Sequence, residues 1–160
     1  MEATDIMVGD ILRVKKDVCL KKGTIVKVHA IDGDNFFREK GLKGCATCSD
    51  INDKYSSGGI WLAYLEPIRL TKDILKKNGW RHEFDKRPYM VRYDLGAEGK
   101  NCWMMWCIAD HSVDIQRQNE NLEKYNLCLQ RVVKPCDYVH ELIHALRECG
   151  LKELADNFKV

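Results

Sequence analysis

Two periodicities divide the chain. Ile11-Leu12-Arg13-Val14-Lys15 and Thr24-Ile25-Val26-Lys27-Val28-His29-Ala30-Ile31 repeat apolar residues at a period near two, as half-solvated strands do. Asp32-Gly33-Asp34-Asn35 reads as a tight turn before Phe36-Phe37-Arg38, and Gly59-Ile60-Trp61-Leu62 as a further strand with a turn over Ala63-Tyr64-Leu65-Glu66-Pro67. Between them residues 39–58, rich in Gly, Ser, Asp and Lys, read as a loop. A short helix follows: Thr71 is its N-cap, Ile74 and Leu75 its apolar stripe, Asn78-Gly79 its stop. Strand patterns return at residues 80–84, 88–93, 102–108 and 112–117, with loops over 96–101 and 118–124 and one more strand within 125–133. The second periodicity closes the chain. After Pro135, which is expected to open the last helix, Val139, Leu142, Ile143, Leu146 and Cys149 fall on one helical face, and Gly150 supplies the stop. The tail, 151–160, fits a helical turn or an edge strand.

This order of elements predicts an α+β protein. A small β-barrel resembling an SH3-like fold occupies residues 1–69, since closure or partial closure protects the edges of so small a sheet. Residues 70–160 form a short helix, an antiparallel β-meander and a C-terminal amphipathic helix that covers the meander, packed with the first module.

Composition narrows the function classes. No stretch approaches the roughly 18 apolar residues of a membrane-spanning helix. Met1-Glu2-Ala3-Thr4-Asp5 has neither a basic nor an apolar leader segment, so a cytoplasmic location is expected. The eight cysteines should then remain reduced and pack mostly as small hydrophobes. A formal net charge of +2 does not mark a dedicated nucleic-acid binder, although it leaves room for a local basic patch.

The most specific motif is His140-Glu141-x-x-His144 on the last helix. Histidines four apart on a helix can chelate zinc while the intervening glutamate acts as general base. A catalytic zinc needs a third protein ligand, however, and Gly150 stands where the extended motif would want one. Only sixteen residues follow His144, too few for a distant helical glutamate to return easily. The expectation is a structural helix, with a zinc hydrolase using His140, His144 and Glu141 as the alternative. Cys45-x-x-Cys48 has the spacing of half a zinc knuckle but lacks a second pair. Cys136 and His140 could imitate a thiol–imidazole pair, but no orienting group or oxyanion donors can be named. Large aromatics interleave with arginines: Trp103 and Trp106 with Arg81, Arg92 and Arg147 make a candidate ligand site, since rings stack on bases and guanidinium groups hold phosphates.

The stretches Glu66-Pro67-Ile68-Arg69-Leu70-Thr71, Asn78-Gly79-Trp80 and Tyr138-Val139-His140-Glu141-Leu142-Ile143-His144-Ala145-Leu146-Arg147, with the Val8-Gly9-Asp10 strand entry, resemble a group of small uncharacterised phage and prophage proteins of gut Bacteroidetes. The likeness touches both ends and the middle of the chain, and leaves out the Cys45–Cys48 region. It implies a barrel, the Thr71 helix, a meander and a final helix, and no peptidase activity is established for that group. The resemblance implies a phage accessory protein of the bacterial cytoplasm, without catalytic machinery or cofactor. Such a protein would counter host defence by sequestering a nucleotide immune signal or by binding a host protein. Structural or assembly roles, including homo-oligomers, are the remaining class.

Overall fold

The computed structural model describes residues 5–37, 41–53, 55–83, 90–94, 102–107, 110–118 and 128–160. The loops expected over 96–101 and from 119 to 124 lie outside the described residues, as do Phe84, Pro88 and Tyr89. The protein is α+β, with mostly antiparallel sheets and a few short helices. It divides into two compact units, Met1–Ile68 and Arg69–Val160. Among the described residues no helix is long and apolar enough to cross a membrane.

In the first unit, β1 (Ile11–Val14), β2 (Ile25–Phe37), β3 (Leu42–Asp50), β4 (Ser57–Trp61) and β5 (Leu65–Pro67) form one antiparallel sheet in the order β4-β3-β2-β1-β5. One turn of 3-10 helix, Leu62–Tyr64, joins β4 to β5. These two strands stand at the edges, and no ladder joins them among the described residues, so no closed barrel is formed. Leu12, Val14, Val26, Val28, Ile60 and Leu62 centre the core. Asp10 is fully buried and accepts the Met7 amide at 2.8 Å, which fixes the Val8-Gly9-Asp10 turn into β1.

Two expectations fail here. The segment 39–58 is not a loop: β3 runs through it with Leu42, Gly44, Ala46 and Cys48 buried in alternation. Small residues carry the inward positions, so the period of two is present without the bulky β-branched signal that usually announces it. Asp32-Gly33-Asp34-Asn35 is not a hairpin turn either. It lies inside β2, at a register irregularity between Asp32 and Phe36, where turn-forming residues make a bulge instead.

In the second unit, β6 (Arg81–Glu83), β7 (Met90–Asp94), β8 (Cys102–Cys107), β9 (Ser112–Gln118) and β10 (Cys128–Pro135) form an up-and-down meander in the order β10-β9-β8-β7-β6. Pro135 ends β10 rather than opening the helix. Among the described residues three helices complete the unit: α1 (Lys72–Lys77), α2 (Val139–Glu148) and α3 (Lys152–Asp156), so the C-terminal tail carries a helical turn. The Thr71 hydroxyl accepts the Ile74 amide at 3.3 Å, and Gly79 turns the chain with φ 76°. α2 packs on β9 and β10; Val139, Leu142, Ile143, Leu146 and Cys149 are buried, as are Met104, Val113 and Ile115 of the sheet, and the Cys149 thiol lies 3.7 Å from Ile115 O. The Asn78 side chain bonds Ile74 O and Lys159 O and accepts Lys159 N, each at 2.8 Å, pinning the C-terminal residues to α1.

Candidate functional site

The entry to α2 explains the glutamate of the His-Glu-x-x-His motif. A helix leaves its first amide groups without internal partners. Glu141 Oε2 accepts the backbone N–H of Tyr138 at 3.0 Å and of Asp137 at 2.7 Å, so its carboxylate closes the helix start as the third-position member of a capping arrangement. Leu70 N donates to Asp137 O at 2.9 Å, and Arg69 bridges Tyr138, which ties the approaches to α1 and α2 together. A carboxylate committed to two backbone donors is poorly placed to activate water. The two histidines sit differently from one another. His140 is 6% exposed and stacks on Tyr138, with ring centroids 5.9 Å apart; His144 is half-buried and meets the His140 ring edge-on at 5.8 Å. Among the described residues no group of three His, Cys, Asp or Glu side chains converges as a metal site. Arg147 pairs with Asp156 at 3.1 Å, and Glu148 with Lys134 of β10.

Register decides what the arginines and tryptophans can do together. Residues directly opposite in antiparallel strands point to the same face, and alternate residues of one strand to opposite faces. One cross-strand row runs Arg81, Asp94, Trp103, Gln116, Arg131. A second row on the same face runs Glu83, Arg92, Met105, Asp114, Val133. The intervening rows contain Met104, Ile115, Trp106 and Val113 and belong to the face that α2 covers. Register thus brings Arg81, Arg92 and Trp103 onto one face, turned away from α2. Trp106 lies three residues from Trp103 and hence on the opposite face, and Arg147 belongs to α2, so the five candidate ligand residues do not share a surface. Arg81 and Arg92 are located by backbone register alone.

On the face turned away from α2 the described ion pair joins Arg131 and Asp114. Arg131 donates to Asp114 through Nε at 3.0 Å and Nη2 at 2.7 Å, and Gln116 Nε2 lies 3.2 Å from the same carboxylate. Arg81 stands opposite Asp94 and Arg92 opposite Glu83 in the ladders. Trp103 and Met105 occupy the central strand of this face, both half-buried, while Val133 is 58% exposed. Met105, Asp114, Gln116, Arg131 and Val133 were not singled out by the sequence pattern. The polar alternation in Ser112–Gln118 marks a solvated face, but only strand pairing says which arginines and which tryptophan share it.

The Cys-x-x-Cys pair is split in the same way. Cys48 is fully buried in the core, and Cys45, three residues away on β3, is half-buried on the other face, so the two thiols do not point to one centre. Burial pushes the Cys48 thiol up to about 12, helped by the neighbouring Cys45 and Cys19. Burial raises Cys136 as well, with Glu141 and Asp137 adding repulsion, so it is no activated partner for His140. A cleft of about 420 Å³ beside α1 and α3, lined by Lys77, Asn78, Glu153, Asn157 and Lys159 among others, contains none of the candidate residues. No protein-family model, curated protein or solved structure matches the chain.

Proposed function

We propose that the chain is a non-catalytic binding protein whose contact surface is the face of the second sheet turned away from α2. The observation that carries this reading is the pair of rows in which Trp103 and Met105 are flanked by Arg81, Arg92 and Arg131. Trp, Met and Arg are the residues that protein interfaces concentrate. Register sets Arg81 opposite Asp94 and Arg92 opposite Glu83, and Arg131 is bonded to the Asp114 carboxylate. Residues of neither sign are in excess, which suits register-setting contacts with a protein better than capture of a polyanion. In the phage setting that the sequence motifs imply, the partner is a host defence protein met in the bacterial cytoplasm; a nucleotide immune signal stacked on Trp103 is the competing ligand.

The first unit is read as an SH3-like module. Its strand order β4-β3-β2-β1-β5, its long bulged β2 and the 3-10 turn before β5 support that reading. A zinc hydrolase is not favoured, because the Glu141 carboxylate is engaged by backbone amides.

The test compares the wild type with Trp103→Glu as bait for host-cell lysate, together with titration of cyclic oligonucleotides and ADP-ribose derivatives followed by tryptophan fluorescence. A host protein retained by the wild type and lost by the variant is the expected result. Saturable nucleotide binding without such a protein would transfer the site to the nucleotide, and the absence of both results would overturn the reading.

A further inference from the structure

We propose that the cleft between α1 and the C-terminal residues is a second binding site, for a small amino carboxylate with an apolar side chain. None of its residues belongs to the sheet face. Its walls are set by local sequence. On one side α1 ends at Lys77, Asn78 caps it, and Gly79 turns the chain with φ 76°. On the other stand Glu153 and Leu154 of α3, with Asn157 and Lys159 beyond it. The Asn78 side chain binds both the carbonyl and the amide of Lys159 at 2.8 Å, so the two walls are held together through backbone groups. Between them in sequence Phe158, 6% exposed, meets the buried Trp80 ring edge-on at 5.8 Å, which anchors the same segment a second time. A wall fixed in advance needs little further ordering when a ligand enters.

The cleft is open and of useful size. Its volume of about 420 Å³ falls within the range of small-molecule sites. Lys77, Gly79, Glu153, Asn157 and Lys159 are all exposed, and a Cβ at Gly79 would meet nothing within 4 Å. The lining selects the class of ligand. Lys77 and Lys159 supply two cations, Glu153 one anion, Asn157 an amide, and Leu154 a half-buried apolar surface. Among the described residues none of those four polar side chains makes a hydrogen bond or ion pair within the protein. A ligand carboxylate meets the lysines, its ammonium group meets Glu153, and its hydrocarbon part lies against Leu154. A phosphate dianion fits less well, since Glu153 repels its second charge and Leu154 gains no partner. A purely apolar ligand would use Leu154 alone. Exposed ion pairs each contribute little, so the dissociation constant is expected on the order of 1 mM. A site of that affinity responds to an abundant solute.

Titration of the isotope-labelled full chain with free leucine to about 30 mM, followed through its amide resonances, tests this. Saturable shifts are expected at the amides of Gly79, Asn157 and Lys159. Isocaproate, which lacks the ammonium group, and isopentylamine, which lacks the carboxylate, should each bind at least about threefold more weakly. Glu153→Gln should remove the preference for leucine over isocaproate. Lys77→Gln combined with Lys159→Gln should weaken both carboxylates at least about threefold. All three side chains are exposed and the Asn78 clamp uses only backbone atoms of Lys159, so these variants keep the fold. Absence of saturation by leucine, or shifts that the lysine variants leave unchanged, overturns the proposal. Inorganic phosphate binding at the same amides as tightly as leucine overturns the amino-carboxylate assignment.

Discussion

Replacing Glu141 separates the two meanings of the His-Glu-x-x-His motif, because a helix cap and a general base fail differently. In Glu141→Ala the amides of Asp137 and Tyr138 lose a charged acceptor at 2.7 and 3.0 Å. A hydrogen bond to a charged group contributes roughly 1.5–3 kcal/mol where water is excluded. Glu141 is only half-buried, so water can take over part of the role. Losses at helix caps lie near 0.5–2 kcal/mol, and removing a negative charge from a helix start adds a few tenths. The net expectation is about 1.5 kcal/mol. For a cooperative unit the size of Arg69–Val160 this lowers Tm by roughly 6–12 °C. Glu141→Gln keeps an oxygen acceptor and should lose about half as much. Urea unfolding followed by helical circular dichroism would show a lower midpoint with unchanged slope. A catalytic glutamate predicts the reverse, since active-site carboxylates usually cost stability and their glutamine variants fold at least as well. If Glu141→Ala is within about 0.3 kcal/mol of the wild type, the capping argument is wrong.

Four further predictions follow from the structure. Gly44→Ala should cost at least about 1.5 kcal/mol and more than Gly79→Ala, by urea denaturation: both have positive φ, but a Cβ at Gly44 would lie 2.5 Å from Leu62 Cδ1 whereas at Gly79 nothing lies within 4 Å. Asn78→Ala should destabilise by about 1 kcal/mol and speed amide exchange at Lys159, whose N–H it holds; unchanged exchange there would refute the pin. Iodoacetamide at pH 8 should modify exposed Cys19 well before buried Cys48 and Cys136. The Cys48 pKa is raised from about 9 to about 12 by folding, so its contribution to stability is complete below pH 9 and is lost as pH rises toward 12; Cys48→Ala should flatten that alkaline decline in urea midpoints.

The elements most legible in the sequence were those whose ends are chemically marked. Thr71, Asn78-Gly79 and Gly150 bound α1 and α2 as expected because capping is local, depending on a side chain and backbone groups a few residues away. β3 was misread for the opposite reason. Gly44 is there because the Leu62 turn approaches the strand too closely for a Cβ, and this neighbour comes from a distant part of the chain. Composition registers such a residue as loop-like; only the packed sheet shows it to be interior. The Asp-Gly-Asp-Asn segment has the same ambiguity, since residues that tolerate tight turns also tolerate bulges, and pairing on the far side decides which one forms.

The candidate site shows how far residue type can go without register. Most of the aromatic and basic residues singled out in the second half lie on one sheet, but the set is divided between its two faces and α2. Trp103 and Trp106 are near neighbours in sequence but are separated by the sheet, whereas Arg81 and Arg131 join Trp103 in a row only after four antiparallel ladders are formed. The spacing between members of that row is set by loop lengths, which carry no period. The same ladders change the electrostatic meaning of the arginines. Read as a list they form a basic patch; in the ladders Arg81 and Arg92 take register positions opposite Asp94 and Glu83, and Arg131 is bonded to Asp114. Balance weakens long-range attraction of anions but leaves short-range complementarity, which acts only when a second surface presents the matching pattern in register. A face of that kind would discriminate by fit rather than by charge, and that is the ground on which a protein partner is proposed for it ahead of a free nucleotide.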